Sequence, residues 1–372
     1  MTKCHQLTFY NKKDLTLNFN GGDITSDAGL LPIKEFDNRL KFRERIINLI
    51  KEKRDKRYTT HKIDELFNQR FYSILAGYED CNDAKTLKIA PVLKDVVNKD
   101  NFNEDLASQS TLSGLENMVD IHDIFNLQKH LMKLFIESFD NETPKELTID
   151  IDATDINVHG HQQLTLFNGY YKQNMYSPLI ISSNGYFLNI LLRKGNAHGS
   201  WNVIPRLQLV IGEIKKVWPD VNIIIRIDAG GATPEIYKFC EFNEFKYVIG
   251  LIKNLNLKKE ITKLADQAEK DYKITQEKQQ LFGETLYQAN SWKHPRRVIM
   301  KAEQNEKGSN KRFLVTNIED VTPENLYKDY YSPRGDFERI IDDLKNGFKA
   351  YRLSCHSFIA NQFQVTNVSI SI

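Results

Sequence analysis

The run Val221–Gly231, VNIIIRIDAGG, limits the fold more than any other stretch. Its apolar residues follow one another almost without alternation, which suits a strand covered on both faces inside a parallel sheet. The run ends at Asp228 and turns on Gly230 and Gly231. Upstream, LTIDIDATD (147–155) alternates, with Leu147, Ile149 and Ile151 on one face and Asp150 and Asp152 on the other. MYSPLIISSNGYFLNILLRKGN (175–196) reads as two strands joined at SNG, a hairpin turn. SWNVIPRLQLVIGEIKKVW (200–218) is amphipathic at helical spacing, TPEIYKFCEF is helical and KYVIGLI is another buried strand.

The order is strand, hairpin, helix, strand, helix, strand. That predicts an α/β fold with a mixed sheet, antiparallel at its start and parallel at its finish, as in a ribonuclease-H-like domain. Residues 1–145 read as mainly helical after a short β-rich lead-in, with a cap at Ser26 or Asp27 starting the first helix. Residues 146–252 form the first part of the sheet domain. Residues 253–312, with fourteen Lys/Arg against eight Asp/Glu, read as a basic β-rich insertion. Residues 313–372 complete the core with a further helix and a short tail.

A net charge of +2 advertises no nucleic-acid partner through the chain as a whole, so any basic surface is local. No apolar run reaches membrane-spanning length, and the start has no apolar signal core, so a cytoplasmic protein without a membrane partner is expected. Cys4, Cys81, Cys240 and Cys355 are scattered singly, which suits free thiols in a reducing compartment. His159 and His161, in HGHQ, have no further clustered ligand, so a loop contact is expected there rather than a metal site.

Chemistry is expected where Asp152 and Asp228 end their strands, because sites in α/β sheets form beyond strand ends. A third carboxylate comes from YYSPRGDFERIIDDLKNGF (330–348), read as one helix. At about 100° per residue, Tyr331, Arg334, Glu338 and Lys345 fall within roughly 60° of one another, beside an apolar stripe of Phe337, Ile340, Ile341, Leu344 and Phe348. Asp152, Asp228 and Glu338 could together hold two Mg²⁺ ions, hard cations that take oxygen ligands and serve phosphodiester displacement. Taken singly, each residue has a plainer reading: a turn former, or an i to i+4 salt bridge between Arg334 and Glu338.

The spacing Tyr331-x-x-Arg334-x-x-x-Glu338-x-x-x-x-x-x-Lys345 is similar to the signature of DDE transposases of the insertion-sequence-4-like group. More closely, DIDATD, FNGYY, WPDVNIIIRIDAGG, YVIGLIKN, RGDFERIIDDLKNGF and LSCHSFIANQF resemble blocks of insertion-sequence family 1380. So do QRFYSILAGYEDCNDAKTL and ASQSTLSGLEN in the first half. The resemblance implies a transposase that cuts the inverted-repeat ends of its element and transfers the 3′-OH to target DNA. Asp152, Asp228 and Glu338 would be its catalytic, metal-holding acids, with Asp150 and Asp155 as bystanders. Mg²⁺ would be the cofactor, two ions with Mn²⁺ able to substitute. Tyr331, Arg334 and Lys345 would contact DNA phosphates, and Trp292 is a candidate to stack on a flipped base, with a core Trp of the insertion as the equally weighted reading. Partners would be double-stranded DNA and a second copy of the chain on paired ends, in the bacterial nucleoid.

Ser108 or Ser110 could cap a helix that projects Thr111, Ser113 and Asn117 outward, as in a helix-turn-helix, although a capped bundle helix is the simpler reading. Gly114 stands where relatives carry a basic residue, which weakens DNA contact there. The chain ends QVTNVSISI, a polar, β-branched run without helical periodicity where relatives continue into a long apolar helix. A truncated or frameshifted copy is expected on that ground. An impaired copy acting as a DNA-binding repressor, or another ribonuclease-H-like nuclease, are the alternative readings.

Overall fold

The computed structural model describes residues 5–8, 14–17, 26–99, 103–158 and 160–371. The chain divides into two compact units. One comprises Met1–His130, Ile156–Thr165 and Asp343–Ile372, the other Leu131–Asp155 and Leu166–Asp342.

The second unit is built on an eight-stranded sheet: β1 (Glu146–Ala153), β2 (Leu179–Ser183), β3 (Tyr186–Leu191), β4 (Asn222–Ile227), β5 (Lys246–Leu251), β6 (Gln279–Tyr287), β7 (Arg296–Asn305) and β8 (Gly308–Thr316). Their order across the sheet is β6-β7-β8-β5-β4-β1-β2-β3. β4 lies parallel to both β1 and β5, while β2 pairs antiparallel with β1 and β3. The expected antiparallel start and parallel finish are therefore present, in the order of a ribonuclease-H-like sheet. One face packs Ile149, Ile151, Ile225, Ile227 and Ile249 against Leu207, Val210 and Ile214 of the helix Val203–Val217. On the other face Val248, Ile299 and Leu314 pack against Leu326 and Tyr327. Strand β4 is apolar apart from Asn222 and Arg226, and both its faces are covered.

The basic segment departs from its expected form. The helices Leu255–Glu260 and Thr262–Thr275 precede the strands, burying Leu257, Ala265 and Ala268. Strands β6–β8 extend the main sheet, with β8 antiparallel to β5.

The first unit is helical. Its first helix begins at Leu30 rather than after Ser26 or Asp27. An antiparallel pair, His5–Thr8 with Asp14–Leu17, precedes it. Helix Gln109–Met118 has Ser108 at its N-cap, though the Ser108 hydroxyl engages Ser110 and Thr111 instead of a backbone N–H.

The tail expected to lack helical order forms the helix Phe358–Ser371. It packs on the helices Ile63–Leu75 and Gln109–Met118 and is buried from 360 to 370. Enclosure on every side removes the solvent face that periodicity reads. Two of its hydroxyls are satisfied within the helix: Thr366 donates to the Gln362 carbonyl at 2.8 Å and Ser369 to the Thr366 carbonyl at 2.7 Å. Cys81, Cys240 and Cys355 are buried free thiols, and Cys4 lies outside the described residues. No helix among the described residues is long and apolar enough to cross a membrane.

Candidate active site

Asp152 stands at the end of β1 and Asp228 directly after β4. The two strands are parallel neighbours, with Ile151 beside Ile227, so both acids leave the same end of the sheet. The side-chain period of two places Asp150, Asp152, Arg226 and Asp228 on the face opposite the isoleucine core. Asp228 closes a tight turn, its Oδ1 accepting from the Gly230 and Gly231 N–H groups at 3.0 and 3.1 Å.

The helical element over this face is broken, not continuous. Leu326–Tyr331 is π-helical, Arg334–Asp342 is α-helical and Asp343–Gly347 is again π-helical. Pro333 has no N–H to continue the ladder, which interrupts the first junction. Phe337 is buried and anchors the α-helical part. Arg334 then donates to Asp152 Oδ2 at 2.5 Å and to Glu338 Oε1 at 2.9 Å. A single guanidinium fork thus brings two of the three acids together.

Burial pushes the Asp152 carboxyl up to about 6, and the charges of Asp228 and Glu338 add to this against the pull of Arg334. Burial works against the Arg334 charge, but Asp152, Tyr331, Asp228 and Glu338 more than offset it and hold its pKa up. Tyr331 is half-buried, packs on Tyr327 at 5.6 Å and has its phenol pushed up by burial.

Asp150 is differently engaged. Both its oxygens accept from Arg226, at 2.5 and 2.7 Å, and Arg226 also donates to the Tyr330 carbonyl at 2.7 Å. This buried pair fastens the segment before Arg334 to the sheet. Arg226 was hidden to sequence reading inside an apolar run, although its strand position opposite Asp150 was available to a register argument. Asp155 accepts from Gln173 at 3.3 Å.

Trp292 is not a stacking surface. It is buried, with Tyr237 and Tyr287 edge-on at 5.3 and 5.6 Å and the Arg296 guanidinium over its ring at 5.2 Å. The segment carrying it packs into the main core, leaving no face for a base. Lys345 falls in the helical unit, on the π-helical turn Asp343–Gly347. The His161 carbonyl accepts from His356 Nδ1 at 2.8 Å, a loop contact, while His159 lies outside the described residues.

Among the described residues, no three or more His, Cys, Asp or Glu side chains are grouped closely enough to hold a metal ion. The donor chemistry nevertheless suits a hard divalent cation: all three acids are carboxylates, and a cationic group already bridges two of them.

The sequence model of the family described as Transposase DDE domain group 1 matches residues 7–371. The chain belongs to the DDE transposase family. Divalent metal ions are the cofactors of DDE transposases. Among solved structures the chain is similar to the piggyBac transposase synaptic complex with hairpin DNA, seen by cryo-EM. The identity is 14%, over 93% of this DDE chain and 73% of that one, with a TM-score of 0.46. No curated protein matches it.

Proposed function

We propose that the chain cleaves DNA phosphodiesters at the inverted repeats of its own element and transfers the freed 3′-OH to target DNA. The observation that carries this reading is the meeting of Asp152 and Glu338 on Arg334 at the strand ends where Asp228 also stands. Asp152, Asp228 and Glu338 would hold the divalent ions, Mg²⁺ or Mn²⁺. Bound there, the ions would supply Lewis-acid stabilisation of charge on the reacting phosphate oxygens. Arg334 has a second use for its fork. Released from the carboxylates, its planar N–H pair suits a phosphate next to the cut bond, and its unpartnered, buried Nε–H is a further donor. Tyr331 offers a hydroxyl from the same segment. Asp150 and Arg226 hold that segment in place without touching DNA. Two copies of the chain would pair two ends, each end meeting one set of acids, as the resemblance to insertion-sequence family 1380 implies.

The test uses purified protein and labelled duplexes bearing the repeats that flank its gene, in Mg²⁺, Ca²⁺ or EDTA. Cutting at the repeat boundary is expected in Mg²⁺ alone, and Glu338→Gln is expected to remove it. Binding without cutting would make the protein an occupant of DNA ends, a repressor. Failure to bind would sink both readings.

A further inference from the structure

The turn that carries Asp228 is packed backbone to backbone against two other elements of the sheet unit. A Cβ at Gly199, in the loop after β3, would stand 2.5 Å from the Gly230 carbonyl oxygen. A Cβ at Gly250, in β5, would stand 2.6 Å from the Ala229 nitrogen and 3.0 Å from the Asp228 carbonyl carbon. Neither glycine has a positive φ, so space, not dihedral freedom, excludes a side chain at both.

This packing bears on the carboxylate. Asp228 Oδ1 accepts from the Gly230 and Gly231 N–H groups, while Oδ2 has no hydrogen bond among the described residues. One oxygen thus anchors the side chain and the other is left for a cation. Where Oδ2 points is decided by where the two N–H groups lie, and Gly199 presses on the peptide that joins them.

The loop bearing Gly199 is held by Arg193, which is 1% exposed. Its Nη1 donates to the carbonyls of His198, Gly199 and Trp201 at 3.2, 3.1 and 2.8 Å. Its Nε and Nη2 donate to the Ser177 carbonyl at 2.7 Å and the Ser177 hydroxyl at 3.2 Å. Among the described residues no carboxylate pairs with it. Burial pushes its pKa down to about 10, so it remains a cation at neutral pH. A buried cation without an acid is costly, and an apolar side chain would fill the space more cheaply. What an apolar side chain cannot do is hold three carbonyls of one loop turned towards a single point.

We propose that Arg193 is a positioning residue for the acid site: by seating the loop 198–201 on the Asp228 turn it fixes the direction of the Asp228 carboxylate and so sets its affinity for a divalent ion. The contacts run from the guanidinium to the Gly199 carbonyl, from Gly199 to Gly230, and from the Gly230 N–H to Asp228 Oδ1. Arg193, being buried, meets neither DNA nor the ion. Loss of a group that orients a metal-holding side chain weakens metal affinity about ten- to hundredfold. The inference rests on the reading of Asp228 as a metal holder given above.

The test uses the full chain without DNA and follows Mn²⁺ binding by electron paramagnetic resonance. Gly199→Ala and Arg193→Lys are each expected to raise the Mn²⁺ dissociation constant about ten- to hundredfold. Gly212→Ala, at a position where a Cβ meets nothing within 4 Å, is expected to match the parent. Metal-free hydrogen exchange supplies a second readout: the backbone amides of 228–231 are expected to exchange faster in both variants. In DNA cleavage the variants are expected to need more Mn²⁺ and to approach the parent rate when it is saturating. Thermal melting checks that the variants fold. The parent alone also tests the contact, since its 198–201 and 228–231 amides should open together; independent opening would overturn the proposal. Parent-like Mn²⁺ affinity in the folded variants, with affinity lost in Asp228→Asn, would overturn it and leave the nuclease reading standing. Unchanged Mn²⁺ binding in Asp228→Asn itself would overturn both.

Discussion

Each unit of the chain has an arginine bound to carboxylates, and the two are satisfied to different degrees. In the helical unit, buried Arg70 donates to Glu116 at 2.9 Å and to the carbonyls of Tyr78, Glu79 and Asp80 at 3.4, 2.8 and 3.2 Å. The other Glu116 oxygen accepts from Cys355 at 3.2 Å and Gln364 at 3.0 Å. In the sheet unit, Arg334 has two acceptors and a buried Nε without one, and the Glu338 side chain is 66% exposed. A fully satisfied buried network fixes one structure, whereas a partly satisfied one at a surface leaves capacity for a ligand. Buried charge alone therefore does not mark a site. Remaining capacity does.

The comparison is tested most severely by removing one acid from each centre. Asp152→Asn is expected to lower end cleavage by at least about a thousandfold, equivalent to roughly 4 kcal/mol of barrier. In the metal-free protein the same change is expected to leave the urea midpoint unchanged or raised, because burial penalises the Asp152 charge. Glu116→Ala should behave in the opposite sense, since it strands Arg70 at 1% exposure. A stability loss of about 3–5 kcal/mol is expected by urea unfolding. Equal stability losses at the two positions would break the distinction.

Much of the sheet unit was legible because its strands carry their burial in their pattern. VNIIIRIDAGG is apolar where both faces are covered, and LTIDIDATD alternates where one face carries the acids. The salt bridge between Arg334 and Glu338 was legible from their i to i+4 spacing, whereas the contact of Arg334 with Asp152 was not. The tail was not. Periodicity detects helices by their solvent face, and the helix Phe358–Ser371 is buried nearly all round. Trp292 takes the core position that was its alternative reading, because the strands of the basic segment extend the main sheet and bury that ring.

Titration gives a finer test of the Asp152 centre. The Asp152 carboxyl is raised from an ordinary 3.8 to about 6, so between about pH 4 and pH 6 the folded, metal-free protein binds the extra proton. Stability contributed by this group is present below that window and is lost as pH rises through it. Two pH units set a ceiling of roughly 3 kcal/mol, which Arg334 and nearby solvent reduce. Urea midpoints measured across pH 4–6 should show the fall in the parent and a flatter curve in Asp152→Asn. An unchanged curve in Asp152→Asn would remove the electrostatic part of the contrast.

Asp150 and Arg226 form an intermediate case, with the saturation of the helical centre but a position beside the acids. Arg226→Lys keeps the charge and loses the planar fork that serves both Asp150 oxygens and the Tyr330 carbonyl. The loss is expected to cost about 2 kcal/mol of stability, in the range for hydrogen bonds to charged groups. If Arg226 fixes the segment before Arg334, the cleavage rate at saturating DNA should fall while the affinity for DNA ends holds. Restoring the rate with excess Mn²⁺ would place the defect in the positioning of Glu338 rather than in the binding of DNA. A change in end affinity with an unchanged rate would instead make Arg226 part of the DNA surface, and the contrast between saturated and unsaturated arginines would no longer separate scaffold from site.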